Sequence, residues 1–226
     1  ALKYSPQERF QSAAAMKEAL LNAAKKTGAL SRISLPAVVS EQVVKPIWIF
    51  RCEDEIRGSA SYDNGIIYVG SYDHNLYALD AASGEFKWKF PTNGGIVTRP
   101  AITNDLIFVG SEDGNLYAIL PKTGKMAWTL PLESPIRSSP RVVEGHVFFG
   151  CDDGFFYGVN IVSMRRVMKV DAGMAIRSSP AVANDLIYFG NEGGDFLCVD
   201  FRGQLKWRFR AKRAITSSPL VTQGIV

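Results

Sequence analysis

Residues Gly70–Trp88, GSYDHNLYALDAASGEFKW, decide how the rest of the chain is read, because their signature residues return at a fixed step. Gly110, Gly150 and Gly190 open GSEDGNLYAI, GCDDGFFYGV and GNEGGDFLCV, each 40 residues after the one before. A period of that size marks a solenoid, a propeller or an array, in which each unit buries its apolar surface against its neighbours. Ile56, Ile96, Ile136, Ile176 and Ile215 keep the same step, the last interval one residue shorter, and lead through a short polar step to Ala60, Pro100, Pro140, Pro180 and Pro219. The lost residue falls between Asp200 and Gly203, where a hairpin loop tolerates it.

Within a unit the apolar residues alternate or run briefly, as in IIYVG, NLYALD and EFKWKF. That is the period of strands, not of helices. In the fourth unit SSPAVA, DLIYFG, DFLCVD and QLKWRF are separated by Asn-Asp, Gly-Gly and Arg-Gly turn signals. Four strands in about 40 residues make one blade of a β-propeller.

The spacing Ala78-x-Asp80-x-x-Ser83-Gly84-x-x-x-Trp88 resembles the A-x-D-x-x-[TS]-G-x-x-x-W docking motif of the PQQ-like repeats, named after the pyrroloquinoline-quinone dehydrogenases. The second unit keeps Ala118, Thr123, Gly124 and Trp128, with Leu120 in place of the Asp. The fourth keeps Asp200, Gly203 and Trp207, with Cys198 in place of the Ala. In the third, Met164 and Met168 replace the Gly and the Trp, so the usual docking contact is not expected there. The resemblance implies an all-β fold: a PQQ-like β-propeller portion of about four and a half four-stranded blades, with a short N-terminal helical segment.

The first 28 residues differ in kind. Ser5-Pro6 signals a helix start, and Ala13, Met16, Ala19, Leu20 and Ala23 write a second helix, closed by Lys25, Lys26 and Gly28. LKYSPQERFQSAAAMKEAL resembles the last segment of bacterial serine/threonine protein kinase domains, through Leu2, Pro6, Arg9, Phe10, Ser12, Ala13, Met16, Ala19 and Leu20. That resemblance implies a structural role for Arg9, pairing with the Glu of an Ala-Pro-Glu motif that this chain does not contain. The expected organisation is a kinase-like C-terminal tail over 1–28, a linker over 29–45 and propeller repeats over 46–226. PIWIF at 46–50 is expected to be the outermost strand of a blade completed by strands beyond residue 226, so the chain reads as an interior piece of a longer protein.

Composition is that of an ordinary globular protein: 226 residues, 46% hydrophobic, 21% charged, net charge +4. The small, unclustered charge argues against nucleic acid as a partner. No apolar run is long enough to span a membrane. Cys52, Cys151 and Cys198, without CxxC spacing, read as reduced thiols in a cytoplasmic protein. His74 and His146 lack metal-spaced partners and are assigned to turns; Asp73, Asp113 and Asp153 are assigned to strand-connecting turns.

Trp48, Trp88, Trp128 and Trp207 recur at the blade period and, with Gly84, Gly124 and Gly203, are expected to dock one blade on the next. Arg57, Arg137 and Arg177 share one repeat position and suggest a ring on one face for an anionic ligand or an acidic partner loop, unless each pairs with nearby acids. No catalytic, metal or cofactor residues can be named. The reading is a non-catalytic sensor or interaction propeller fused to a kinase, whose ATP and Mg sites would lie outside this chain. The alternatives are a scaffold resembling the lipoprotein propellers of outer-membrane assembly, and a quinoprotein dehydrogenase, which the missing adjacent cysteine pair disfavours along with PQQ itself.

Overall fold

In the computed structural model, residues 13–26, 45–222 and 225–226 are described, and the chain divides into two units between Pro46 and Ile47. Of the first unit, helix α1 spans Ala13–Lys26 and carries Lys25 and Lys26 in its last turn, where cations complement the helix dipole. Ser5, Pro6, Arg9 and Gly28, on which much of the kinase-tail reading rests, lie outside the described residues.

The second unit contains four antiparallel sheets of four strands each, in simple meander order. Blade 1 comprises β1 (Ser61–Asp63), β2 (Ile66–Gly70), β3 (Asn75–Asp80) and β4 (Phe86–Pro91). Blade 2 comprises β5 (Ala101–Ile102), β6 (Ile107–Gly110), β7 (Asn115–Ile119) and β8 (Met126–Pro131). Blade 3 comprises β9 (Arg141–Val143), β10 (His146–Gly150), β11 (Phe155–Asn160) and β12 (Arg165–Asp171). Blade 4 comprises β13 (Ala181–Ala183), β14 (Leu186–Gly190), β15 (Asp195–Asp200) and β16 (Leu205–Arg210).

Local chemistry accounts for the hairpins. Asn64 and Gly65 both adopt positive φ (46° and 81°) between the paired residues Asp63 and Ile66, the two-residue turn whose twist matches the strands it joins. In each blade the register shifts after Ala78, Ala118, Gly158 and Cys198 of the third strand, where the fourth strand carries one extra residue. Those four small residues face Trp88, Trp128, Met168 and Trp207 across the ladder, so a small side chain makes room for each large one.

The two middle strands of each blade are buried on both faces, and the core lies between blades. Tyr68, Leu76 and Ala78 of blade 1 pack with Ile107, Val109 and Tyr117 of blade 2. Phe108 and Leu116 meet Val147, Phe149 and Tyr157 of blade 3. Phe148 and Phe156 meet Phe189 and Leu197 of blade 4, with Phe156 and Phe189 stacked at 4.2 Å. Each repeat therefore depends on its neighbour for burial.

Residues 46–50 pair with no segment among the described residues, and Trp48 and Phe50 pack on blade 1. One local expectation is corrected. His146 does not sit in a turn but opens β10, where Val143 and Asn160 flank it across both ladders and its ring stacks on Phe148 at 6.0 Å.

Candidate functional site

Two of the recurrent tryptophans, Trp48 and Trp88, dock on the turn of the blade that follows each of them. Trp48 donates its indole N–H to the Ala81 carbonyl at 3.0 Å, and Trp88 donates to the Pro121 carbonyl at 2.9 Å. Both rings lie over a glycine in the next β3–β4-type turn: a β-carbon on Gly84 would stand 2.6 Å from Trp48, and one on Gly124 2.6 Å from Trp88. At the next junction Met164 occupies the glycine position with φ 56°, and Trp128 packs against the blade 2–blade 3 core without an indole bond of that kind among the described residues. Gly203 is covered by Val170 and Met168, the methionine filling the tryptophan's place. Trp207 stays 41% exposed, leaning on Tyr188 and Phe196, and borders an apolar surface that includes Phe209 and Ile215.

Arg57, Arg137 and Arg177 meet carboxylates, those of the latter two supplied by a second repeat position. Arg137 pairs with Glu112 at 2.7 Å and with Asp152; Arg177 pairs with Asp152 at 3.2 Å and Glu192 at 3.0 Å; Arg57 pairs with Glu55 at 2.7 Å and lies over the Tyr72 ring. Residues 72, 112, 152 and 192 are themselves 40 apart, Tyr, Glu, Asp and Glu. Arg137 and Arg177 with Glu112, Asp152 and Glu192 form a chain of ion pairs running from blade 2 to blade 4, while Arg57 pairs locally with Glu55, so each of the three guanidiniums has a carboxylate partner. The hydrogen bond that Arg177 donates to Asp152 outweighs the effect of burial and holds its guanidinium protonated beyond the ordinary range.

A different set of side chains lines a cleft of about 590 Å³ along the innermost strands. It is bordered by Ser59, Arg99, Ser139, Arg141, Ser179 and Ser218, and no Asp or Glu lines it among the described residues. Positions 59, 99, 139, 179 and 218 are one repeat position, serine in every unit but the second, where Arg99 stands. The backbone N–H of Arg99 donates to Ser139 Oγ at 2.8 Å, that of Ser139 to Ser179 Oγ at 3.0 Å, and that of Ser179 to Ser218 Oγ at 3.1 Å. This ladder stitches the inner edges of the blades together. Arg99 Nε donates to Ser61 Oγ at 3.1 Å, while Ser61 donates to the Pro100 carbonyl at 2.6 Å. Sequence reasoning passed over Arg99 and Arg141; the signal that marks them is departure from the repeat, since the positions equivalent to Arg141 in the neighbouring blades are Ala101 and Ala181.

The turn aspartates hold their own loops. Asp113 accepts from the Tyr117 hydroxyl at 2.8 Å, from the N–H of Asn93 at 2.9 Å and from Asn115. Burial alone would raise its pKa, but these donors outweigh it and hold the carboxyl below its usual range. Asp73 has the equivalent partners Tyr77, Glu53 and Asn75, and Asp153 is bonded to Tyr157 and Phe155. Cys151 and Cys198 are buried and Cys52 half-buried, and all three are free thiols; burial pushes Cys151 up to about 12. No helix of the described residues is long and apolar enough to cross a membrane.

A family model described as outer membrane protein assembly factor BamB, of the PQQ type, matches residues 37–119 and 100–173, together more than half of the chain. No curated protein matches. Among solved structures the chain is similar to two computationally designed proteins, Ika8 (17% identity) and Ika4 (14% identity), each with a TM-score of 0.63 over 70% of this chain. The matched part covers 50% of the Ika8 chain and 99% of the Ika4 chain, so this chain spans about half the length of the former. At that identity the likeness concerns the fold. With four meander blades, a tryptophan-and-glycine contact between successive blades and the family match in hand, the chain belongs to the PQQ-like repeat family of β-propellers described as outer membrane protein assembly factor BamB.

Proposed function

We propose that this chain is the non-catalytic interaction and sensor propeller of a bacterial serine/threonine protein kinase, working in the cytoplasm. It binds a ligand or a protein partner and thereby regulates or localises the kinase. The observation that carries this reading is the Leu2, Pro6, Arg9, Phe10, Ser12, Ala13, Met16, Ala19, Leu20 pattern, which stands directly ahead of a propeller. The propeller half of the reading is supported by the family match and by a fold that offers loops and an inner cleft on a rigid frame.

Sequencing the reading frame on both sides of residues 1–226 tests it. A kinase domain with its glycine-rich loop and catalytic Asp upstream, and further 40-residue repeats downstream, is the expected result. Deleting residues 46–226 from that protein should then change autophosphorylation or its cellular position. A signal peptide running into this segment overturns the kinase attachment.

A second reading, a scaffold propeller of envelope assembly, is favoured by the description of the matching family. Fractionation separates the two: a lipid-anchored protein in the membrane fraction supports the scaffold, and one released with the cytoplasmic fraction supports the kinase.

A further inference from the structure

We propose that the cleft on the inner strands is a receptor for a small, doubly charged oxyanion, held by Arg99 and Arg141. The proposal deepens the interaction reading by naming a site and a ligand class, and it does not rest on the attachment to a kinase.

The two arginines differ from the periodic ones in what surrounds them. Arg57, Arg137 and Arg177 each face a carboxylate, whereas neither Arg99 nor Arg141 has an ion-pair partner among the described residues. Both border the 590 Å³ cleft and also a smaller adjoining cavity of about 250 Å³, and among the described residues no Asp or Glu lines either cavity. Two exposed guanidiniums that border the same cavities, with no carboxylate facing them there among the described residues, favour an anion as the occupant. The larger cavity falls in the range of small-molecule sites.

The remaining donors point the same way. Nε of Arg99 is spent on Ser61, which fixes the guanidinium and leaves its two terminal nitrogens to form a fork. The hydroxyl oxygens of Ser139, Ser179 and Ser218 each accept a backbone N–H from the preceding unit, and none of the three hydroxyls donates to another group among the described residues. Each therefore keeps an O–H to give. A site with two cationic forks, several hydroxyl donors and no carboxylate acceptor matches phosphate or a dicarboxylate and rejects cations.

The repeat itself supplies variants that keep the fold. Arg99→Ser installs the residue that the other units carry at this position, and Arg141→Ala installs the residue of Ala101 and Ala181. Calorimetric titration of the chain with inorganic phosphate and, separately, with malonate at low salt is the test. Saturable binding of at least one probe is expected, weakened by about tenfold or more in each single variant and weakened again by added salt. The preferred probe names the source, a phosphate compound or a carboxylic acid. Arg137→Ala and Arg177→Ala should leave the affinity unchanged. Absence of binding by both probes overturns the proposal, as does equal affinity in the Arg99→Ser/Arg141→Ala double variant, with thermal melting showing that the variants fold. Because the titration reads binding at the cleft and not what flanks the propeller, its failure is distinct from failure of the kinase reading, which the reading frame decides.

Discussion

Ile136 stands in the space that a side chain on Gly110 would need: a β-carbon built on that glycine lies 2.9 Å from Ile136 Cβ and closer still to its methyl branch. The N–H of Ile136 donates to the Ser111 carbonyl at 3.0 Å, so the segment leading into blade 3 is latched across the turn of blade 2. Ile96 on Gly70, Ile176 on Gly150 and Ile215 on Gly190 repeat the arrangement, which is why the glycine and the isoleucine recur with the same period.

Gly110→Ala should therefore destabilise the chain by about 1–3 kcal/mol through overpacking, and Ile136→Ala by about 2–5 kcal/mol through cavity formation. The pair should be strongly non-additive, since removing the Ile136 side chain vacates the space that a methyl group at position 110 would fill. Urea denaturation of both single variants and the double variant measures the coupling; strict additivity would show that the latch is not a contact between these two residues.

Trp88→Ala should cost about 3–5 kcal/mol, because it opens a cavity between blades 1 and 2 and leaves the Pro121 carbonyl without its indole donor. Trp207→Ala, at a half-exposed site, should cost only about 1 kcal/mol. Gly124→Ala should destabilise by about 1–3 kcal/mol, since its φ of 67° disfavours a side chain and the new β-carbon would strike the Trp88 ring. Chemical denaturation followed by tryptophan fluorescence ranks the three.

Stability should fall in acid in a way that Asp113 helps to set. Its carboxyl titrates lower in the folded chain than in the unfolded one, so folding favours the ionised form. That contribution is complete above the ordinary carboxylate range and drains away as pH falls through the folded value, because the unfolded chain takes up the proton first. Comparing urea midpoints near neutrality and near pH 3 should show a shallower acid loss in Asp113→Asn than in the parent chain.

Alkylation should discriminate the thiols. Iodoacetamide applied to the folded chain is expected to modify Cys52 first, while Cys151 and Cys198 react only after denaturant is added. Burial withholds both the access and the thiolate from Cys151. Mass spectrometry of the peptides gives the order, and early labelling of Cys151 would contradict the packing of blades 2 and 3.

Much of the propeller was legible in the chain's own periodicity. A 40-residue step carried by Gly70, Gly110, Gly150 and Gly190, with strand-period apolar runs between turn signals, yields four-stranded blades because each short amphipathic strand can bury itself only against a neighbour. The A-x-D-x-x-[TS]-G-x-x-x-W spacing marked Trp88 and Gly124 as docking residues, and it marked the third unit as the exception. The arginine site was less legible. A shared repeat position identified Arg57, Arg137 and Arg177 as equivalents, but it could not say that Glu112, Asp152 and Glu192 come within ion-pair distance of the latter two.

Periodicity, a local property of the chain, thus determined the architecture and the order of the blades. For Arg137 and Arg177 the partners include a carboxylate of the preceding repeat, Glu112 and Asp152 respectively, and only the tertiary structure decided that. Arg137 meets a carboxylate from the preceding blade, whereas Arg99, alike in chemistry, reaches a serine and a cleft that no acid lines among the described residues. The physical reason is that ion pairing acts over a few ångströms of space rather than along the sequence.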